Sequence, residues 1–106
     1  MLTPESERKT ESEERGARFQ LGQVVATPGA LEALGRAGVT PLRLLGRHEI
    51  GDWGDLSDED TAENEVSLKE GFRLLSSYKL PDTGQKIWII TEADRSATTI
   101  LLPSEY

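Results

Sequence analysis

Cysteine is absent from this 106-residue chain, histidine occurs once, and aromatic residues make up only 6% of it. Without cysteine there is no disulfide framework, no thiol nucleophile and no cysteine-ligated zinc site. The fold must rest on a packed core. Long apolar runs are missing too, since the longest, Ile87–Ile90, is only four residues. That is far too short for a membrane span, and Met1 opens a charged stretch where a secretory leader would carry apolar residues. A cytoplasmic protein without membrane contact is the expectation. The motifs of several chemistries are also lacking: no His-Glu-x-x-His, no Walker loop, no Gly-x-Gly-x-x-Gly and no Gly-x-Ser-x-Gly.

What is present is negative charge: 19 Asp and Glu against 12 Lys and Arg, a formal net of −7. Such a balance opposes direct binding to duplex DNA and favours contact with a basic protein partner. Residues 1–17 carry five Glu, three basic residues and, after Met1, a single large aliphatic side chain, Leu2. That segment buries too little surface to offset its ordering entropy and reads as a disordered acidic tail. Residues 18–106 then form one small domain, with 14 acidic and 9 basic residues.

Composition changes at Phe19, where the run to Ala26 reads as a first strand. Thr27-Pro28 and Thr40-Pro41 are both helix starts, because proline at the first helical position gives up an N–H that has no partner there. Ala30, Leu31, Ala33 and Leu34 supply the apolar side of the first helix, which Gly35 or Gly38 ends, and the second helix stops before Gly51. Ser57 followed by Asp60 predicts a third helix over Asp58–Glu70, its first turn acidic and its end marked by Gly71. Beyond it, 72–80, 85–91 and 97–102 alternate with Pro-Asp-x-Gly and Asp-Arg-Ser turns. The expected fold is α+β, in the order β-α-α-α-β-β-β, with a C-terminal antiparallel meander packed against helices. Leu31, Leu34, Leu45, Leu74, Ile87, Ile89 and Leu101 should form its core.

Three blocks, Gln23–Leu31, Arg47–Gly54 and Trp88–Pro103, resemble a family of small bacterial plasmid-related proteins. The resemblance covers about residues 19–106 and implies a mobile-element setting. It implies no catalytic residue and no ligand.

The candidate site residues come from the sequence itself. His48, between Arg47 and Glu49, suits acid–base work at neutral pH or, more simply, the carbonyl end of a helix. Arg95 with Thr98 offers the guanidinium fork and hydroxyl that recognise phosphate; alternatively Arg95 ties its turn to a carboxylate. Trp53, set among Gly51, Asp52, Gly54 and Asp55, is either a plug over the core or a partner's anchor. Eight acidic residues lie between Glu49 and Glu65, but no start point satisfies a calcium loop, so neither metal nor cofactor is expected. Two readings follow. The first is an acidic binding or regulatory protein acting through protein contacts, with Trp53, Asp52, Asp55 and Arg95 in the contact. The second is a compact metal-independent ribonuclease or toxin-like enzyme using His48, Arg95 and Thr98.

Overall fold

The computed structural model describes residues 16–106, and in it the start and stop signals act where the sequence places them. Helix α1, Pro28–Ala37, opens on Thr27, whose hydroxyl accepts the Ala30 N–H at 3.1 Å, and closes on Gly38 in the left-handed region. Helix α2 spans Pro41–Glu49. Helix α3, Asp58–Glu70, is capped by Ser57 through the Asp60 N–H at 3.1 Å and ended by Gly71 at φ 80°. The strands are β1 (Gln23–Ala26), β2 (Leu74–Lys79), β3 (Lys86–Thr91) and β4 (Ala97–Leu101), and a short 3-10 turn, Pro103–Glu105, follows. The fold is therefore α+β in the order β-α-α-α-β-β-β.

Strands β2, β3 and β4 form the antiparallel meander, and β1 joins it in parallel beside β4, giving the order β1-β4-β3-β2. β1 is shorter than the 19–26 run suggested. Gly22, at φ 66°, turns the chain just before it, and a Cβ there would stand 2.3 Å from the Ser96 carbonyl oxygen.

The pleat sorts side chains between two faces. Toward the helices point Leu74, Ser76 and Tyr78 of β2, Ile87, Ile89 and Thr91 of β3, and Thr98 and Ile100 of β4, all buried. Ala30, Ala33, Leu34, Leu44 and Leu45 meet them from α1 and α2. Leu31 departs from expectation: it is 50% exposed. Ala30, Ala33, Leu34 and Ala37 repeat at helical spacing and define the inward stripe, which puts Leu31 about 100° round the helix from Ala30, toward solvent.

The β2 edge of the sheet is finished in two ways. At β2, the Leu75 N–H and carbonyl are both taken by the Asn64 side-chain amide, at 3.1 and 2.6 Å, so a side chain on α3 replaces a neighbouring strand. Ser77 is paired with the 53–55 segment, its N–H donating to the Trp53 carbonyl and its carbonyl accepting from the Asp55 N–H. Gly54 is required at that crossing, because a Cβ would lie 2.2 Å from the Ser77 carbonyl oxygen and φ is +77°.

The tail expected over residues 1–17 lies outside the described residues except for Gly16 and Ala17, which are exposed. Among the described residues Arg18 is the first that is strongly held. Its N–H donates to the Glu49 carbonyl at 2.8 Å and its guanidinium grips both Glu65 oxygens, at 2.8 and 3.0 Å.

Candidate functional site

His48 is fully buried, and both ring nitrogens are bonded to hydroxyls: Nδ1 lies 2.5 Å from Ser76 Oγ and Nε2 lies 2.9 Å from Thr91 Oγ1. Thr91 Oγ1 is 2.7 Å from Thr98 Oγ1, and Thr98 donates to the Leu21 carbonyl at 2.7 Å. Each hydroxyl has one proton, which fixes the direction of the chain. Thr98 spends its proton on Leu21, so Thr91 must donate to Thr98, and His48 Nε2–H must donate to Thr91. Nδ1 is then bare and accepts from Ser76. The imidazole is neutral with its proton on Nε2. A second ring proton would meet the Ser76 hydroxyl in an apolar enclosure, and burial first, with the Arg95 charge second, pushes the His48 pKa down to about 3.

Three aromatic contacts close that enclosure. Phe19 stands edge-on to His48 at 5.0 Å and stacks on Trp53 at 6.2 Å, while Trp53 meets His48 edge-on at 5.7 Å. Trp53 is 4% exposed, and its indole N–H donates to Glu65 at 3.0 Å. It therefore plugs the core between α2 and α3. Glu65 is held below the usual carboxylate range by the Arg18 bonds and then by this indole N–H.

Asp52 and Asp55 border the plug. Asp52 pairs with Arg47 at 2.7 Å, which holds its carboxyl below the usual range, and its backbone carbonyl accepts the Tyr78 hydroxyl at 2.7 Å. Arg47 covers the Tyr78 ring at 4.6 Å, and burial pushes the Tyr78 hydroxyl up to about 12. Asp55 lies 3.8 Å from Lys86.

Arg95 binds its turn through backbone oxygens, and the carboxylate partner expected from the sequence is not the one it uses. Its guanidinium donates to the carbonyls of Phe72 at 2.6 Å, Ser67 at 3.0 Å and Glu92 at 3.1 Å, and lies 5.8 Å from the Phe19 ring centroid. Ser67 and Phe72 lie at the carbonyl end of α3, where the helix dipole attracts a cation, and the Ser67 carbonyl also accepts the Gly71 and Phe72 N–H groups. The side chain thus anchors a left-handed backbone at φ 61° that would otherwise be costly for a non-glycine residue. Trp88 and Thr98 do not share a cleft with it. Thr98 faces the helices in register with Thr91, whereas Trp88 lies on the other face with Leu101 and Ser77.

That other face was not singled out from the sequence. Leu75, Ile90, Thr99 and Val25 form one row across it, and Ser77, Trp88 and Leu101 the next. Among the described residues no helix covers these rows, although Ser77, Ile90 and Leu101 are themselves buried, and the chain returns over them at its 3-10 turn, where Tyr106 meets Trp88 edge-on at 5.7 Å. Arg73 lies over the Tyr106 ring at 5.7 Å and donates to its hydroxyl at 3.1 Å. Beside them a groove of about 280 Å³ is lined by Arg73, Leu74, Leu75, Trp88, Ile90 and Tyr106. A signal was available in Lys86–Thr91: a strand whose every central residue is apolar must have two apolar faces.

Among the described residues, no cluster of three or more His, Asp or Glu could hold a metal ion, and no helix is long and apolar enough to cross a membrane. No family model, no curated protein and no solved structure matches the chain.

Proposed function

We propose that this chain is a small acidic binding protein that acts through protein contacts, with the open face of its sheet as the contact surface. One observation carries the reading: Trp88, Tyr106 and Arg73 stand together on a sheet face that no helix among the described residues covers. Tryptophan, tyrosine and arginine are the residue types that dominate binding energy at protein interfaces. The net charge of −7 supports a basic partner. The ribonuclease-like alternative draws less support, since it needs His48 and Arg95 at one open site. His48 is enclosed by Phe19, Trp53 and three hydroxyl-bearing strands, and Arg95 is spent on three carbonyls. A regulatory role in a bacterial mobile element, the setting implied by the motif blocks, belongs to the same proposal.

Site-specific photocrosslinking in host cells tests it. A photoreactive phenylalanine analogue at Thr99, on the open face, should give a discrete protein adduct. The same group at Leu42, 79% exposed on α2, should not. Adducts from position 42 alone, or identical adducts from both, would overturn the reading.

A further inference from the structure

The groove beside Trp88 does not end at Leu75. Arg73 and Leu75 also line a second recess of about 160 Å³, whose other walls are Leu56, Asp60, Glu63, Asn64 and Ser67. An apolar and aromatic hollow therefore adjoins an acidic one beside α3, with Arg73 and Leu75 as the common wall. Arg73 lines both hollows, but its guanidinium is engaged by the Tyr106 hydroxyl and by Glu92, 3.8 Å away, and makes no ion pair with Asp60 or Glu63. Asp60 and Glu63 have no ion-pair partner among the described residues. The size of the first hollow also matters. At about 280 Å³ it is at or below the range of pockets that enclose whole small molecules, yet ample for one large side chain.

From this juxtaposition we infer that the open face takes an extended partner segment in which a large apolar side chain is followed by a lysine or arginine. The apolar side chain fills the hollow walled by Trp88, Tyr106, Leu75 and Ile90, beside the contact of the two rings, and the cation meets Asp60 and Glu63. The inference rests on the protein-contact reading above and names the chemistry of its partner.

The two tryptophans make the test internal. Trp53 is enclosed, its indole N–H bonded to Glu65, whereas Trp88 lines the groove, so two indole N–H signals report on fold and site separately. The full chain is titrated with blocked hexapeptides carrying one Trp or Leu followed, one to three positions later, by Arg, and with the same peptides carrying Glu. The expected result is a saturating shift of the Trp88 signal with at least one Arg peptide, the Trp53 signal staying still. The Glu peptide should bind about fivefold or more weakly, and the paired variant Asp60→Asn, Glu63→Gln should erase most of that preference. Tyr106→Ala, at a 69% exposed residue, should weaken binding with the Trp53 signal unchanged.

Other outcomes sink the inference. No Trp88 shift with any peptide overturns it, as does equal binding of free indole, which would make the groove a small-molecule pocket. A Trp88 shift that grows with protein concentration alone would make a second copy the occupant. Binding of Arg peptides on the acidic surface without any Trp88 shift would also refute the groove, while leaving contact with a basic partner standing.

Discussion

Acid should weaken this fold through His48 before any carboxylate takes part. The folded-state pKa is about 3, against an ordinary value of 6.5, so between those limits the unfolded chain binds a proton that the native chain refuses. A histidine with a depressed pKa contributes stability that is complete above pH 6.5 and is lost as pH falls toward 3. One and a half pH units into that window, at pH 5, the loss is about 2 kcal/mol at 1.36 kcal/mol per unit. A domain of this size has on the order of 5–10 kcal/mol of stability in all, so the change is large. The depressed carboxylates, Asp52 and Glu65 among them, begin to lose their share only below their ordinary values of 3.8 and 4.5, outside the pH 5–7 window. Because the chain has one histidine, urea unfolding at pH 7, 6 and 5 isolates it. The wild-type protein should lose about 2 kcal/mol across that range. The His48→Gln variant should start lower and stay nearly flat. A flat wild-type profile, or a folded-state imidazole signal titrating near 6.5, would refute the enclosed hydroxyl chain.

Three further outcomes follow from the packing. Arg95→Ala should cost about 2 kcal/mol in urea unfolding, the scale for charge-assisted hydrogen bonds at a half-exposed site, and Arg95→Lys should recover only part, since one ammonium cannot reach three carbonyls. Leu34→Ala should cost about 2–5 kcal/mol and Leu31→Ala well under 1 kcal/mol by the same assay, in keeping with 1% and 50% exposure. In a fluorescence anisotropy titration at physiological salt, random duplex DNA should not bind, as residues 18–106 carry 14 acidic against 9 basic side chains.

What could be read from the sequence was local. Ser57 and Gly71 define both ends of α3, and Thr27 with Pro28 defines the start of α1, because capping chemistry acts over three or four residues. The strands of the meander were legible from their turns for the same reason. Leu31 was misplaced because Ala30, Leu31, Ala33 and Leu34 fit two neighbouring helix phases, and only the sheet behind α1 selects between them. The partner of β1 and the bonds of His48 depend on residues as far apart as 48 and 91, which no local pattern brings together. The same distance hid the role of Arg95: a turn sequence displays Asp94 and Glu92 as ready partners but not the carbonyls of Ser67 and Phe72. The open face was concealed in another way. Alternation marks a strand with one wet side, and Lys86–Thr91 has almost none, so its pattern does not tell the helix-covered face from the one where Trp88 lines a groove at the surface.

The most direct measurement is the accessibility of the two tryptophans in the complex with whatever partner the open-face crosslink identifies. Iodide quenching of single-tryptophan variants, Trp53→Phe reporting Trp88 and Trp88→Phe reporting Trp53, separates the two signals. Trp88 should be quenched in the free protein and protected in the complex, while Trp53, already enclosed, should be poorly quenched in both. A complex in which Trp88 stays as open to iodide as before would contradict the assignment of the contact to this face.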